Sequence, residues 1–267
     1  MAVQTLYTAA TGMQALETKL DVIANNLANV NTVGFKKDRA NFEDLFYRTE
    51  TLPGALDSGG QPTPTGIQVG LGAQVSSTQQ NFSQGAFQQT GRQLDIAIEG
   101  PGFLQVADPD GTILFTRAGN LNVNANGALV QGSAGTGRLI DPPINIPENA
   151  VNMVIDPYGS VSVQLPGQNQ LSQVGQLQMA FFVNPEGLFQ LGENLYSQTD
   201  ASGAPTTGNP GTNGLGKIRQ NMLEASNVEP VQELIDLITT QRSFELNSQA
   251  VQAGDQVLQL ISNLRRF

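Results

Sequence analysis

The chain has 267 residues, of which 13% are charged, and a formal net charge of −10. That balance argues against a phosphate-backbone partner, which needs clustered Lys and Arg. The absence of Cys and His removes Ser-His-Asp and Cys-His catalytic sites and the usual nitrogen and sulfur ligands of zinc.

Leu6, Ala9, Met13, Leu16, Leu20, Ile23, Leu27 and Val30 follow one another at spacings of three and four, the a/d pattern of a helical seam. A helix from Leu6 to Val30 would run about 37 Å. Met1 to Leu20 lacks the basic start and unbroken apolar stretch of a cleaved signal, and no window nears the roughly 18 apolar residues of a membrane span. The sequence therefore predicts no membrane insertion, and any export must proceed without a cleavable signal peptide. Asn25, Asn26, Asn29 and Asn31 crowd the end of this helix, before the turn at Gly34 and Phe35. With so little charge around them, their amides are expected to make side-to-side contacts between subunits.

Gly/Pro-rich stretches at 53–72 and 205–216 read as linkers or extended arms. Between them the periodicity becomes two. Leu94, Ile96 and Ile98 alternate with polar or small residues, as do Val161, Val163 and Leu165. Further strands are predicted at 103–106, 113–116, 121–123, 153–155 and 177–183, with turns at Asp110-Gly111, Asn126-Gly127 and Tyr158-Gly159. Positions 95–200 carry ten acids against two bases, so this β region holds most of the negative charge.

Local chemistry is weak. Gly211 to Lys217 has the spacing of a phosphate loop, but Ile218 stands where Ser or Thr would hold magnesium. A calcium loop begun at Asp108 would need Gly at its sixth position and Glu at its twelfth, where Ile113 and Gly119 stand. Neither supports a cofactor, so none is expected.

At the far end Asn227 and Glu229 are candidate caps and Pro230 suits a first helical turn. Leu237, Phe244, Val251 and Leu258 then repeat every seven residues, with Leu234, Ile238 and Ile261 expected to widen the stripe. Gln241, Ser248 and Asp255 are read as the alternate seam positions, and Arg242 as a candidate intersubunit contact. The expected fold class is α+β: long terminal helices packed as a coiled-coil-like pair, with a central, mostly antiparallel β domain between extended arms. The expected division is a terminal helical polymerisation domain (1–35 with 225–267), arms at 36–90 and 205–224, and a β domain at 91–204.

Residues 24–36, Ala-Asn-Asn-Leu-Ala-Asn-Val-Asn-Thr-Val-Gly-Phe-Lys, resemble the N-terminal signature of bacterial flagellar rod and hook proteins. Gly100-Pro-Gly-Phe103, Thr116-Arg-Ala-Gly119, Gly192-Glu-Asn-Leu-Tyr196, Ser226-Asn-Val228 and Gln241-Arg-Ser-Phe-Glu-Leu-Asn247 are similar to later landmarks of that family, so the resemblance covers nearly the whole chain. It is closest to the distal-rod members, whose stiffening segment resembles Phe42-Glu-Asp-Leu-Phe-Tyr47 and the Pro53 to Gln68 arm.

The resemblance implies a non-enzymatic subunit of a rigid helical tube, the drive shaft. Its terminal helices would line an export channel and its β domains would face outward. The implied partners are other copies of the chain, other rod proteins, hook or hook-junction subunits, ring bushing proteins and the flagellar type III export apparatus. The implied place is the basal-body rod across the periplasm. The candidate polymerisation interface comprises Leu6, Met13, Leu16, Leu20, Ile23, Asn25, Asn26, Leu27, Asn29, Gly34 and Phe35, together with Leu237, Arg242, Phe244, Val251 and Leu258. Rival readings are another axial protein (proximal rod or a lateral-system paralogue), a peptidoglycan-acting enzyme, and a secreted adhesin.

Overall fold

The computed structural model describes residues 2–56, 61, 64–132, 137–167 and 170–264. They form two terminal helices and a central, antiparallel, β-rich region, divided into two compact units. The first comprises Met1–Ala28, Asp38–Gln80 and Glu229–Phe267, and the second Asn29–Lys37 and Asn81–Val228.

In the first unit, helix α1 (Ala2–Ala28) and helix α2 (Pro230–Leu264) run antiparallel. Asn26 meets Glu233 near one end, Gly12 lies by Asn247 in the middle, and Leu6 lies by Gly254 near the other end. The buried or half-buried α2 positions from Glu233 to Leu258 are Glu233, Asp236, Leu237, Thr240, Phe244, Asn247, Ser248, Val251, Gly254 and Leu258. Leu237, Phe244, Val251 and Leu258 are half-buried, Gln241 and Asp255 are exposed while Thr240 and Gly254 before them turn inward, and Ser248 is half-buried together with Asn247. Small and compact polar side chains at those positions let the two backbones approach. Leu234, Ile238 and Ile261 do not widen this stripe; all three are exposed.

Gly254 shows how close the approach is, since a Cβ there would stand 2.8 Å from Leu6 Cδ2. Gly254→Val is expected to push the helices apart at this level and cost about 1–3 kcal/mol. Gly254→Ala should cost less, because Leu6 is flexible. Urea unfolding followed by helical circular dichroism checks the ranking.

Four strands complete this unit: β1 (Asp38–Asp44), β2 (Tyr47–Thr51), β3 (Ile67–Gly70) and β4 (Ala73–Gln80). β1 pairs β4 and β2 pairs β3. The Leu45 amide donates to the Gly72 carbonyl and the Leu71 amide to the Phe46 carbonyl, so the two ladders join into one long ribbon. The inner half packs on α1, where Thr11, Ala15, Leu45, Ala73 and Val75 line a shared cavity. This second contact explains why Ala15, which the seam pattern omits, is buried while Leu16 is half-buried. The outer half leaves Phe46 88% exposed, with Tyr47, Leu52, Leu56 and Ile67 also exposed. A two-stranded ribbon is marginal by itself in water.

The second unit holds the remaining strands. They are β5 (Phe87–Gln89), β6 (Ile96–Glu99), β7 (Phe103–Ala107), β8 (Ile113–Thr116), β9 (Leu121–Val123), β10 (Leu129–Gly132), β11 (Gly137–Ile140), β12 (Asn152–Ile155), β13 (Ser160–Gln164), β14 (Leu171–Gln176), β15 (Met179–Phe181), β16 (Phe189–Gly192), β17 (Leu195–Ser197), β18 (Thr206–Gly208), β19 (Lys217–Gln220) and β20 (Met222–Glu224). The main sheet runs β16-β17-β8-β7-β11-β10-β9, with β15 on β7 and β18 on β15. The others form β12-β13-β14 and the pairs β19-β6 and β20-β5.

Ile96, Leu104, Leu121, Leu129, Val161, Val163, Leu177 and Met179 meet in its core. Phe103, Phe115, Phe182 and Tyr196, joined by Phe82, form a second, aromatic cluster of edge-to-face rings. The predicted strand at 177–183 shortens to β15. Leu177 instead bonds the Gly159 carbonyl through its amide, and Val183 points to solvent.

Candidate assembly surface and a buried charge cluster

The candidate site residues fall in both units. In the first, Ile23 is buried, and Leu6, Met13, Leu16, Leu20, Leu27, Leu237, Phe244, Val251 and Leu258 are half-buried on the helix pair. Asn25 and Arg242 are exposed.

Asn26 is 2% exposed, and its amide is used within the unit. Nδ2 donates to the Asp38 carbonyl at 2.8 Å and to Glu233 Oε2 at 3.3 Å, while Oδ1 accepts the Asp38 amide at 2.9 Å. One side chain thus ties α1 both to the start of β1 and to α2. A polar residue spent this way in a helix seam fixes register more than it adds stability.

In the second unit, the Thr32 hydroxyl donates to Asn29 Oδ1 at 3.0 Å and its amide to the Asn29 carbonyl at 3.1 Å, forming a local turn. Gly34 follows in the left-handed region at φ 71°, with its amide donating to the Glu224 carbonyl at 2.8 Å. Asn227, a candidate helix cap, serves another purpose. Its Oδ1 accepts the Lys37 amide at 2.8 Å and its Nδ2 donates to the Asn81 carbonyl at 2.8 Å. Phe35, which follows Gly34 in the chain, is half-buried.

Sequence reasoning did not find the charge cluster behind this loop. The side chains of Lys36 and Glu224 are 0% exposed and 2.6 Å apart. Lys36 also donates to the Ser83 carbonyl at 2.7 Å. Arg117 Nε lies 3.2 Å from the other carboxylate oxygen, and its Nη2 donates to the Gly100 carbonyl at 2.6 Å. The Gly85 amide donates at 2.9 Å to the same oxygen as Lys36, so the other oxygen has the Arg117 charge beside it but no hydrogen bond. One buried carboxylate therefore faces two cations. Burial lowers the Arg117 guanidinium from its ordinary value. Burial first, then Arg117, pulls the Lys36 ammonium down to about 8, against the opposing pull of Glu224.

The sign of the linkage follows. Between about 8 and the ordinary 10.5 the unfolded chain keeps the Lys36 proton that the folded chain releases, so stability rises with pH across this window. The expected gain is at most about 3 kcal/mol. Lys36→Met should flatten that rise, which urea unfolding of both proteins across the window would measure.

No group of side chains suited to a metal ion occurs among the described residues, and no described helix is long and apolar enough to cross a membrane.

Three stretches of the chain match known families. Residues 6–36 match the family described as flagella basal body rod protein. Residues 97–163 match the flagellar hook protein FlgE/F/G D1 domain, and residues 219–264 the flagellar basal body rod FlgEFG protein C-terminal region. The flagellar basal-body rod protein FlgG of Buchnera aphidicola subsp. Schizaphis graminum is 46% identical over 98% of this chain and 100% of its own. FlgG of Caulobacter vibrioides is 45% identical over 98% and 99%. The flagellar hook-basal body complex protein FlhP of Bacillus subtilis is 33% identical over 98% and 99%. Matches at both ends and in the middle define a structural protein of the bacterial flagellum. The chain belongs to the flagellar basal-body rod protein family, and it is a structural subunit, not an enzyme.

Proposed function

We propose that the chain polymerises into the distal part of the rod, a stiff helical tube that transmits torque from motor to hook and encloses an export channel. The observation that carries this reading is the second apolar face of α2. Val231, Ile235, Ile238, Leu246, Val257 and Leu260 are all exposed. At 3.6 residues per turn they lie on the side of the helix roughly opposite Leu237, Phe244 and Val251. A helix apolar on two sides is satisfied only when something covers the second, and in a homopolymer that is another copy.

In this reading α1 and α2 form a coiled-coil-like pair whose seam, including Leu6, Met13, Leu16, Leu20, Ile23, Leu27, Leu237, Phe244, Val251 and Leu258, presents the outer face of α2. Asn25 and Arg242 lie exposed, where a neighbouring copy could meet them. Asn26, Asn29, Gly34 and Phe35 act indirectly by fixing the helix end and the turn after it. The terminal helical domain is 1–35 with 225–267, the arms are 36–90 and 205–224, and the outer β domain is 91–204. Partners are other rod proteins, hook or hook-junction subunits, ring bushing proteins and the type III export apparatus, which would deliver the chain across the periplasmic space unfolded. Identity of 46% to a FlgG against 33% to FlhP favours the distal rod over a paralogous axial protein.

Electron microscopy of basal bodies from a strain lacking this gene tests the proposal. Short rods without hooks are expected, and complete rods with hooks would overturn it. Complementing that strain with a chain lacking residues 47–70 addresses the arm, which should leave a rod of lowered bending stiffness. Unchanged stiffness would remove the arm from the account.

A further inference from the structure

We propose that the second unit carries a binding site for a neutral acetamido ligand, an N-acetylated hexosamine, in the cavity lined by Thr32, Val33, Ala118, Gln131, Arg138 and Asn194. The cavity measures about 300 Å³, ten times the share of one liquid water and at the lower edge of small-ligand pockets.

Most of its polar groups are paired within the wall, and one carboxamide is left open to the cavity. Gln131 is 8% exposed, lines the cavity, and makes no side-chain hydrogen bond among the described residues. Asn120, also in the wall, holds its Oδ1 away from solvent with no partner. Asn194 donates through Nδ2 to the Val33 carbonyl at 2.9 Å, which fixes its side chain in the wall. The closed-off Asn120 oxygen forfeits a hydrogen bond that water would have supplied, whereas the unpaired Gln131 amide still opens onto the cavity, where a ligand can reach it.

The chemistry of the wall selects the ligand. Arg138 Nε lies 2.7 Å from Asp108, and Nη1 is paired with Glu193, so its charge is already compensated and an anion gains little. A carboxamide offers both a donor and an acceptor, which matches an amide group in the ligand. Val33 and the buried Ala118 supply small apolar surface for the methyl of an acetyl group. Thr32 and Glu193 add hydroxyl-compatible groups, as sugar hydroxyls need. The walls provide no long apolar channel, which disfavours an acetylated lysine stem.

The test is saturation-transfer NMR on the full chain with N-acetylglucosamine, with glucose and N-acetyl-lysine as comparison probes. Transfer to the acetyl methyl of N-acetylglucosamine is expected, with a dissociation constant on the order of a few mM for so small a ligand. Gln131→Leu should weaken it about tenfold or more. Should this variant unfold, Gln131→Glu keeps the shape and is expected to weaken binding similarly; thermal unfolding identifies the folded variant. Equal transfer to glucose, stronger transfer to N-acetyl-lysine, no transfer, or unchanged binding by a folded variant would each overturn the assignment.

Discussion

Replacing Glu224 with Leu is expected to remove about 3–5 kcal/mol of stability, the usual cost of deleting one partner from a buried ion pair. The loss falls on a total that for domains of this kind is only about 5–15 kcal/mol. The physical reason lies in what remains. Lys36 and Arg117 would face each other without an anion, in a site where Lys36 and Glu224 are wholly buried, and the Gly85 amide would lose its acceptor. Lys36 can relieve part of the strain by releasing a proton, since its pKa is already about 8. Arg117 has no such route. Glu224→Gln should be milder, because an amide oxygen still accepts from Gly85. In Lys36→Met the Arg117–Glu224 pair survives, so that change should be mild near neutral pH. The double variant Lys36→Met, Glu224→Leu should therefore be less damaged than the two single losses added together. Urea unfolding of the four proteins decides it. A Glu224→Leu chain within about 1 kcal/mol of the parent would mean that the cluster is stabilised by packing rather than charge.

How much of this was legible in the residues depends on the kind of signal. The terminal helices were readable because Leu6 to Leu27 and Leu237 to Leu258 repeat over many turns, and no other element satisfies such spacing. Strands β8 and β9 were readable residue for residue because turn residues bound short apolar runs. β20 and β14 were not: Met222–Glu224 ends on a carboxylate that is buried with its partners, and Leu171–Gln176 is half polar, so each owes its extended backbone to a neighbour. The ribbon of β1 to β4 reads as arms in the sequence because its outer half buries little, and hydrophobic periodicity reports only burial. The shift of alternate α2 positions from Gln241 and Asp255 to Thr240 and Gly254 has a similar cause. Thr240, Asn247 and Gly254 are not apolar, and only contact with α1 shows that small size was what mattered. The charge cluster left no periodic trace, since Lys36 and Glu224 lie 188 residues apart.

Gly34→Ala is the second large effect, expected at about 3 kcal/mol or more, and its comparison residue is Gly111. Both glycines have positive φ, 71° and 80°, so each alanine pays the same conformational penalty of about 1 kcal/mol. They differ in what surrounds the added methyl. At Gly111 nothing lies within 4 Å, whereas at Gly34 the carbon would stand 2.9 Å from both the Arg117 carbonyl carbon and the Ala118 nitrogen. Backbone cannot rotate aside as a side chain can, so relief requires shifting either the loop or the segment that carries Arg117. The first course lengthens the bond from the Gly34 amide to the Glu224 carbonyl, and the second moves Arg117 away from the Glu224 carboxylate. Either disturbs the same cluster. Unfolding free energies should therefore show Gly111→Ala within about 1 kcal/mol of the parent and Gly34→Ala well below it. In Gly34→Ala the Lys36-dependent rise in stability above pH 8 should also shrink, as the loop that holds the ammonium in place loosens. Equal losses at the two glycines would show that the loop adapts freely and that the signature glycine serves only its own turn.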